Sequence, residues 1–146
     1  MRIALDLAQA AARAGEVPVG AVVVDPATGE VIAGAANAPV AGCDPTAHAE
    51  VLALRAAAAA RRNYRLTGLW LYVTLEPCAM CAGAIGHARI GRLIWGADDA
   101  KGGAVAHGPR LFEQPTIHWR PDLTGGVLAD ESAALLRDFF RARRSG

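Results

Sequence analysis

The chain has 146 residues, 53% of them hydrophobic, which excludes a disordered chain and suits one domain spanning residues 1–146 rather than two. Fifteen Lys and Arg stand against 14 Asp and Glu for a net charge of +1, which excludes a polybasic protein that grips nucleic acid over its whole surface but leaves room for a local basic patch. Three Cys exclude a disulfide framework, and no segment approaches the roughly 18 continuous apolar residues of a membrane helix.

Residues 2–14 carry Ile3, Leu5, Leu7, Ala8, Ala11 and Ala12, an apolar face at helical spacing that Gly15 ends. Asp6 and Gln9 interrupt this stretch too early for a signal peptide, so a soluble, cytoplasmic protein is expected. Residues 17–24 form a β-branched run closed by the turn signal Asp25-Pro26-Ala27-Thr28-Gly29, and residues 31–35 read as the return strand of a hairpin. Residues 37–45 are a loop rich in Pro, Gly and Asp. The Ala- and Leu-rich stretch 46–62 is predicted helical, with Thr46 as its N-cap.

Residues 69–75 read as a strand, after which Pro77 opens a helix running to about His87, because Pro is favoured at a first helical position. Residues 92–96 make a short apolar strand, and 97–118 are loop-like. A fifth strand is expected at 119–123, weakened by Pro121. Residues 130–144 are the clearest amphipathic helix, with Leu135, Leu136, Phe139 and Phe140 on or near one face. Helices alternating with strands predict an α/β fold with helices on both faces of one mixed sheet.

Two segments carry chemistry, Thr46-Ala47-His48-Ala49-Glu50 and Glu76-Pro77-Cys78-Ala79-Met80-Cys81. Cys78 and Cys81 are three apart and project from one face of a first helical turn, where they can share an ion. The positive end of that helix favours thiolates, and two sulfurs with the imidazole of His48 select zinc. Three protein ligands leave a position for water, as catalytic zinc sites require. Glu50 lies two residues from His48, so both face the ion only where the helix begins, with Glu50 as the proton shuttle. Cys43 is the rival fourth ligand, which would make the site structural; His87 and His107 are weaker rivals. The combination H-x-E with P-C-x-x-C is the signature of the zinc-dependent nucleobase deaminases.

At these residues the chain resembles the cytidine/deoxycytidylate deaminase superfamily, and within it the bacterial tRNA-specific adenosine deaminases. The resemblance runs from about Ile3 to Arg144. It is carried by Glu16-Val17-Pro18-Val19-Gly20-Ala21-Val22, Asp44-Pro45-Thr46-Ala47-His48-Ala49-Glu50, Leu71-Tyr72-Val73-Thr74-Leu75-Glu76-Pro77-Cys78, Met80-Cys81-Ala82-Gly83-Ala84-Ile85 and the closing Leu135-Leu136-Arg137-Asp138-Phe139-Phe140-Arg141. The resemblance implies a three-layer α/β/α sandwich around a mixed five-stranded sheet, and a homodimer with active sites near the interface. It implies one zinc per subunit on His48, Cys78 and Cys81, with Glu50 moving protons. It implies the wobble adenosine of an arginine transfer RNA as substrate, with Asn37 hydrogen-bonding the base and Asp99 on a loop touching the extruded nucleotide. Arg141, Arg143 and Arg144 are candidates for phosphate contact in the anticodon loop, or simply cations favoured at a helix C-terminus. Many relatives carry Asn-His where this chain has His118-Trp119, and Ala38 follows Asn37 where a polar side chain is common; both departures bear on RNA contact.

Two other readings share the motifs. A deaminase of free guanine, cytosine or nucleosides would use the same zinc residues. A noncatalytic zinc module that binds nucleic acid would need a fourth protein ligand and would give Glu50 no role.

Overall fold

The computed structural model describes residues 1–145. Its elements are α1 (Arg2–Arg13), β1 (Gly20–Asp25), β2 (Glu30–Ala36), α2 (Ala49–Arg61), β3 (Trp70–Leu75), α3 (Ala79–Ala88), β4 (Arg92–Ala97), β5 (Asp122–Thr124) and α4 (Ala129–Ser145), with a 3-10 turn at Leu111–Glu113. The strands form one five-stranded sheet in the order β2-β1-β3-β4-β5. β1 pairs antiparallel with β2 and with β3, whereas β3–β4 and β4–β5 are parallel.

The mixed pairing follows from the connections. A tight turn reverses the chain between β1 and β2, while β3 and β4 run parallel because α3 carries the chain back between them. In that turn Asp25 Oδ1 accepts from Ala27 N–H and its carbonyl accepts from Gly29 N–H, with Gly29 at φ 76°. The register slips between Val23 and Val24, which pair with Ala33 and Val31, so Ile32 is the extra residue of a bulge.

Alternation along β1 separates the two faces. Ala21 and Val23 point into the core with Ala49, Ala53 and Ala57 of α2 and Ala82, Ile85 and Ala88 of α3. Gly20, before Ala21 and on the opposite face, meets α1, where a Cβ would lie 2.0 Å from the Ala4 carbonyl oxygen, so only glycine admits the helix that closely. On the same face, a Cβ at Gly96 would lie 2.4 Å from Ser132 Oγ of α4. Helices on both faces of a mixed five-stranded sheet make the expected three-layer sandwich. Leu71, Val73, Ile85, Ile90 and Leu93 are fully buried at its centre, each contributing about 1.5–3 kcal/mol by leaving water.

Several boundaries differ from the sequence expectation, each for a local reason. Pro18 lacks an N–H for the ladder, and Val19 N–H turns back to the Val17 carbonyl, so β1 starts at Gly20. Thr46 is not an N-cap: its N–H and hydroxyl both donate to Asp44 Oδ1, and the cap position falls to His48. Pro77 likewise lies outside α3, whose N-cap is Cys78. The fifth strand begins only after Pro121, while Trp119 is held elsewhere, its indole N–H donating to the Ile90 carbonyl. The apolar face of α4 is only half-buried, with Ser132 its one buried residue and Phe140 exposed. Among the described residues no helix is long and apolar enough to cross a membrane.

Candidate active site and metal centre

Two helix starts converge beneath the end of β3. His48 caps α2 with extended backbone (φ −71°, ψ 147°), and Cys78 caps α3 in the same way (φ −73°, ψ 175°). His48 Nδ1 lies 3.6 Å from Cys78 Sγ and 3.5 Å from Cys81 Sγ. Tetrahedral zinc with S and N bonds of about 2.3 and 2.1 Å requires an S···N edge of about 3.6 Å. The three donors therefore already have the spacing of a zinc site. Among the described residues this is the one His, Cys, Asp or Glu group arranged to hold a metal ion.

The rival ligands fall elsewhere. Cys43 is exposed at φ 48°, its Sγ 3.8 Å from the Val40 carbonyl. His87 is exposed on α3, and His107 Nδ1 lies 2.8 Å from Glu76 Oε1. With three protein donors the set is that of a catalytic centre, not a closed structural one.

Local electrostatics prepare the sulfurs. The Cys78 thiol is pulled down to about 5, chiefly by the hydrogen bond from Cys81 and also by backbone N–H groups at the start of α3, against the cost of burial. Cys81 is pushed up, because its proton is the one shared with Cys78 and because it is buried. The pair thus carries its thiolate on Cys78. Glu50, in the first turn of α2, is buried, and that desolvation pushes its carboxyl up, assisted by the negative charge on Cys78. A carboxyl moved toward neutrality is suited to taking and returning a proton. His48 and Glu50 share the site because α2 begins between them, as the two-residue spacing requires.

These groups open into a cleft of about 300 Å3, at the small end of ligand sites. Val17, Val19 and Leu75 give it apolar walls, and Asn37 and Asp99 line it along with His48 and Glu50. Arg141 and Arg144 do not line it; they are exposed on α4, which packs on the sheet face opposite α2. Arg143 donates to the Gly15 carbonyl and lies over the Phe139 ring.

Two buried carboxylates have roles that the sequence reading missed. Glu16 accepts from Val40 N–H (3.0 Å) and Ala41 N–H (2.8 Å), fastening the loop that follows Asn37. Glu76 accepts from the backbone of Asp99, Val105, Ala106 and His107, fastening the loop after β4. Burial and hydrogen bonding pull in opposite directions on Glu76, and the bonds prevail, holding its carboxyl below the usual range. The only sequence signal for either was an acidic residue in a mostly apolar stretch, one residue before a Pro for Glu76 and two before for Glu16.

Residues 1–97 match the family model described as the cytidine and deoxycytidylate deaminase zinc-binding region, and the chain belongs to that family of zinc-dependent deaminases. The matched span contains His48, Glu50, Cys78 and Cys81, and the donor set fits one zinc ion per subunit. Within the family, the chain is 51% identical over 144 residues to a tRNA-specific adenosine deaminase of Agrobacterium fabrum, covering 99% of this chain and 93% of that protein. A structure solved in a study of A-to-I editing by deaminases acting at the wobble position of transfer RNA matches with a TM-score of 0.90 at 51% identity, over 93% of this chain and 97% of that one. A guanine deaminase of Nitrosomonas europaea matches with a TM-score of 0.77 at 28% identity, over 94% of this chain and 81% of that one. The resemblance to the bacterial tRNA-specific adenosine deaminases therefore holds over nearly the whole chain.

Proposed function

We propose that this chain, a single domain over residues 1–146, is a hydrolytic deaminase that converts adenosine to inosine at the wobble position of a transfer RNA, the arginine one by resemblance. The observation that carries the reading is the 51% identity to a tRNA-specific adenosine deaminase over nearly the full chain, against 28% to a guanine deaminase.

In deamination a water oxygen adds to C6 of the purine and the exocyclic amine leaves as ammonia. His48, Cys78 and Cys81 hold the zinc, which when bound supplies the Lewis acidity that brings the pKa of water to about 7. Glu50 takes one proton from the attacking water and delivers it to the ring nitrogen N1. It then takes the second from the hydroxyl added at C6 and delivers it to the departing amine, so that the two protons of the water end on inosine N1 and on ammonia. Its burial keeps that proton from bulk solvent. Asn37 and Asp99 bind the substrate, Asn37 by hydrogen-bonding the base, and the apolar walls from Val17, Val19 and Leu75 hold the ring plane. A loop adenosine reaches such a cleft readily, because it is already close to unstacked. Arg141 and Arg144 lie outside the cleft and serve phosphates farther along the anticodon stem-loop.

A homodimer accounts for the groove between α2 and α3, whose walls include Val51, Leu54, Ala58, Tyr64 and Ala84. A substrate of this kind places the enzyme in the cytoplasm. The test is inosine formation by zinc-loaded protein on an arginine transfer RNA anticodon stem-loop with adenosine at the wobble position, with free adenosine, guanine and cytosine run alongside. Inosine at that one position is expected. Ammonia from free guanine alone would move the chain to the small-molecule branch of the family.

A further inference from the structure

The loop between β4 and the 3-10 turn at Leu111–Glu113 has no ladder or helix to hold its backbone, yet it supplies Asp99 and Gly102 to the cleft. Ala104 N–H donates to the Pro77 carbonyl at 2.9 Å and Trp95 Nε1–H to Asp98 Oδ1 at 2.8 Å, but the side chain that gathers most of its backbone is Glu76. Oε1 accepts from Asp99 N–H at 3.1 Å and lies 2.8 Å from His107 Nδ1. Oε2 accepts from three successive amides, Val105 at 3.2 Å, Ala106 at 3.0 Å and His107 at 3.1 Å. A carboxylate offers about four lone-pair sites, so this one is saturated. Glu76 borders the cleft, but with both oxygens engaged it cannot carry protons for the reaction.

The packing around it allows little variation. A Cβ at Gly103 would lie 2.4 Å from Glu76 Oε2 and 2.5 Å from the Asp99 carbonyl oxygen. Asp99 in turn uses Oδ1 to accept from Lys101 and Gly102 N–H, at 3.2 and 2.9 Å. Among the described residues, Oδ2 has no donor.

We propose that Glu76 is a positioning residue that sets the affinity for the extruded nucleotide by fixing the loop 98–107, and with it Asp99, as one wall of the cleft. This rests on the reading of the cleft as the substrate site. The zinc ligands and Glu50 stand on α2 and α3, outside that loop, so the chemical step is not what Glu76 governs.

The test is Glu76→Gln in zinc-loaded protein. The amide leaves one acceptor oxygen and turns a donor toward groups that are themselves donors. Losing about 1.4 kcal/mol at the loop corresponds to a tenfold rise in KM for the anticodon stem-loop. We expect that rise with kcat within threefold of the parent and one zinc per chain. Amides of Asp99 and Val105 to His107 should lose hydrogen-exchange protection while those of α2 and α3 keep theirs. Because Glu76 acts through Asp99, its effect on KM should largely vanish in an Asp99→Ala background. An unchanged KM, a fall in kcat at constant KM, loss of zinc, or KM effects that multiply in the double variant would each overturn the proposal. Should Glu76→Gln not fold, Gly103→Ala disturbs the same contact without removing an acceptor, and the same outcomes decide. A parent protein inert on the stem-loop but active on guanine would overturn the substrate reading alone. The KM, kcat and exchange measurements would then be made with guanine and would still decide the role of Glu76.

Discussion

Replacing Glu50 by Gln exchanges one carboxylate oxygen for an amide nitrogen in a side chain that is only 4% exposed. The shapes match, so the packing of α2 against the core should survive, and removing a negative charge beside the sulfurs should not weaken their hold on zinc. What disappears is the group proposed to accept and return the proton. General acid–base catalysis contributes typically 10²–10⁴-fold, or about 2.7–5.4 kcal/mol of barrier at 1.36 kcal/mol per tenfold. The structure argues for the upper end of that range. Of the other carboxylates on the cleft, Glu76 has both oxygens engaged, and Asp99, held through Oδ1, stands on the loop after β4 and not at the helix starts that carry the zinc donors. Neither can substitute for Glu50, and we expect single-turnover inosine formation to fall by about 10⁴-fold. Zinc content by atomic absorption and thermal unfolding should match the parent. Turnover within tenfold of the parent would refute the assignment, and loss of zinc in parallel would show that Glu50 acts on the metal site instead.

Chelating the zinc should loosen the junction of α2 and α3. At a zinc concentration a hundredfold above Kd the ion contributes about 2.7 kcal/mol, so its removal should lower Tm by about 5–10 °C, read by calorimetry with and without chelator. In zinc-free Cys43→Ser protein, Cys78 should alkylate at neutral pH and lose reactivity as pH falls through about 5, where its thiolate takes up a proton. Cys81, buried and with its thiol pushed up, should stay unmodified, and added zinc should protect Cys78; equal labelling of both would refute the shared-proton picture. Ile85→Ala, at a fully buried position on α3, should cost about 2–5 kcal/mol in urea unfolding with zinc stoichiometry retained. A loss below about 1 kcal/mol would contradict its place in the core.

The zinc residues were legible because their chemistry is local. Cys78 and Cys81 share a helix face by spacing alone, and His48 and Glu50 needed only a helix that starts between them. Most elements were legible too, since the apolar spacing of α1 and the β-branched run of β1 reflect burial along a single stretch of chain. The errors fell at element ends. Thr46 has the composition of an N-cap, but Asp44 claims both of its donors, and the helix starts three residues past it, at Ala49. Pro77 suits a first helical position, yet it lies before the cap at Cys78. Phe139 and Phe140 suggest a buried face, but the residue α4 buries is Ser132, against Gly96 of β4, and Phe140 is left exposed.

By itself, the sequence determined the His-Cys-Cys donor set, the alternation of helix and strand and the family, and it pointed to Glu50 as the proposed acid–base residue, because each depends on residue type at short spacing. Only the tertiary structure decided the strand order, the imidazole nitrogen that faces the sulfurs and the exclusion of Cys43. It also revealed Glu16 and Glu76, buried acids whose bonds reach 24 and 25 residues along the chain for one and 23 to 31 for the other. Their role is set by backbone N–H groups that every non-proline residue carries, so no pattern of side chains announces it; it exists only once the fold brings a loop without secondary structure against a carboxylate buried beneath it.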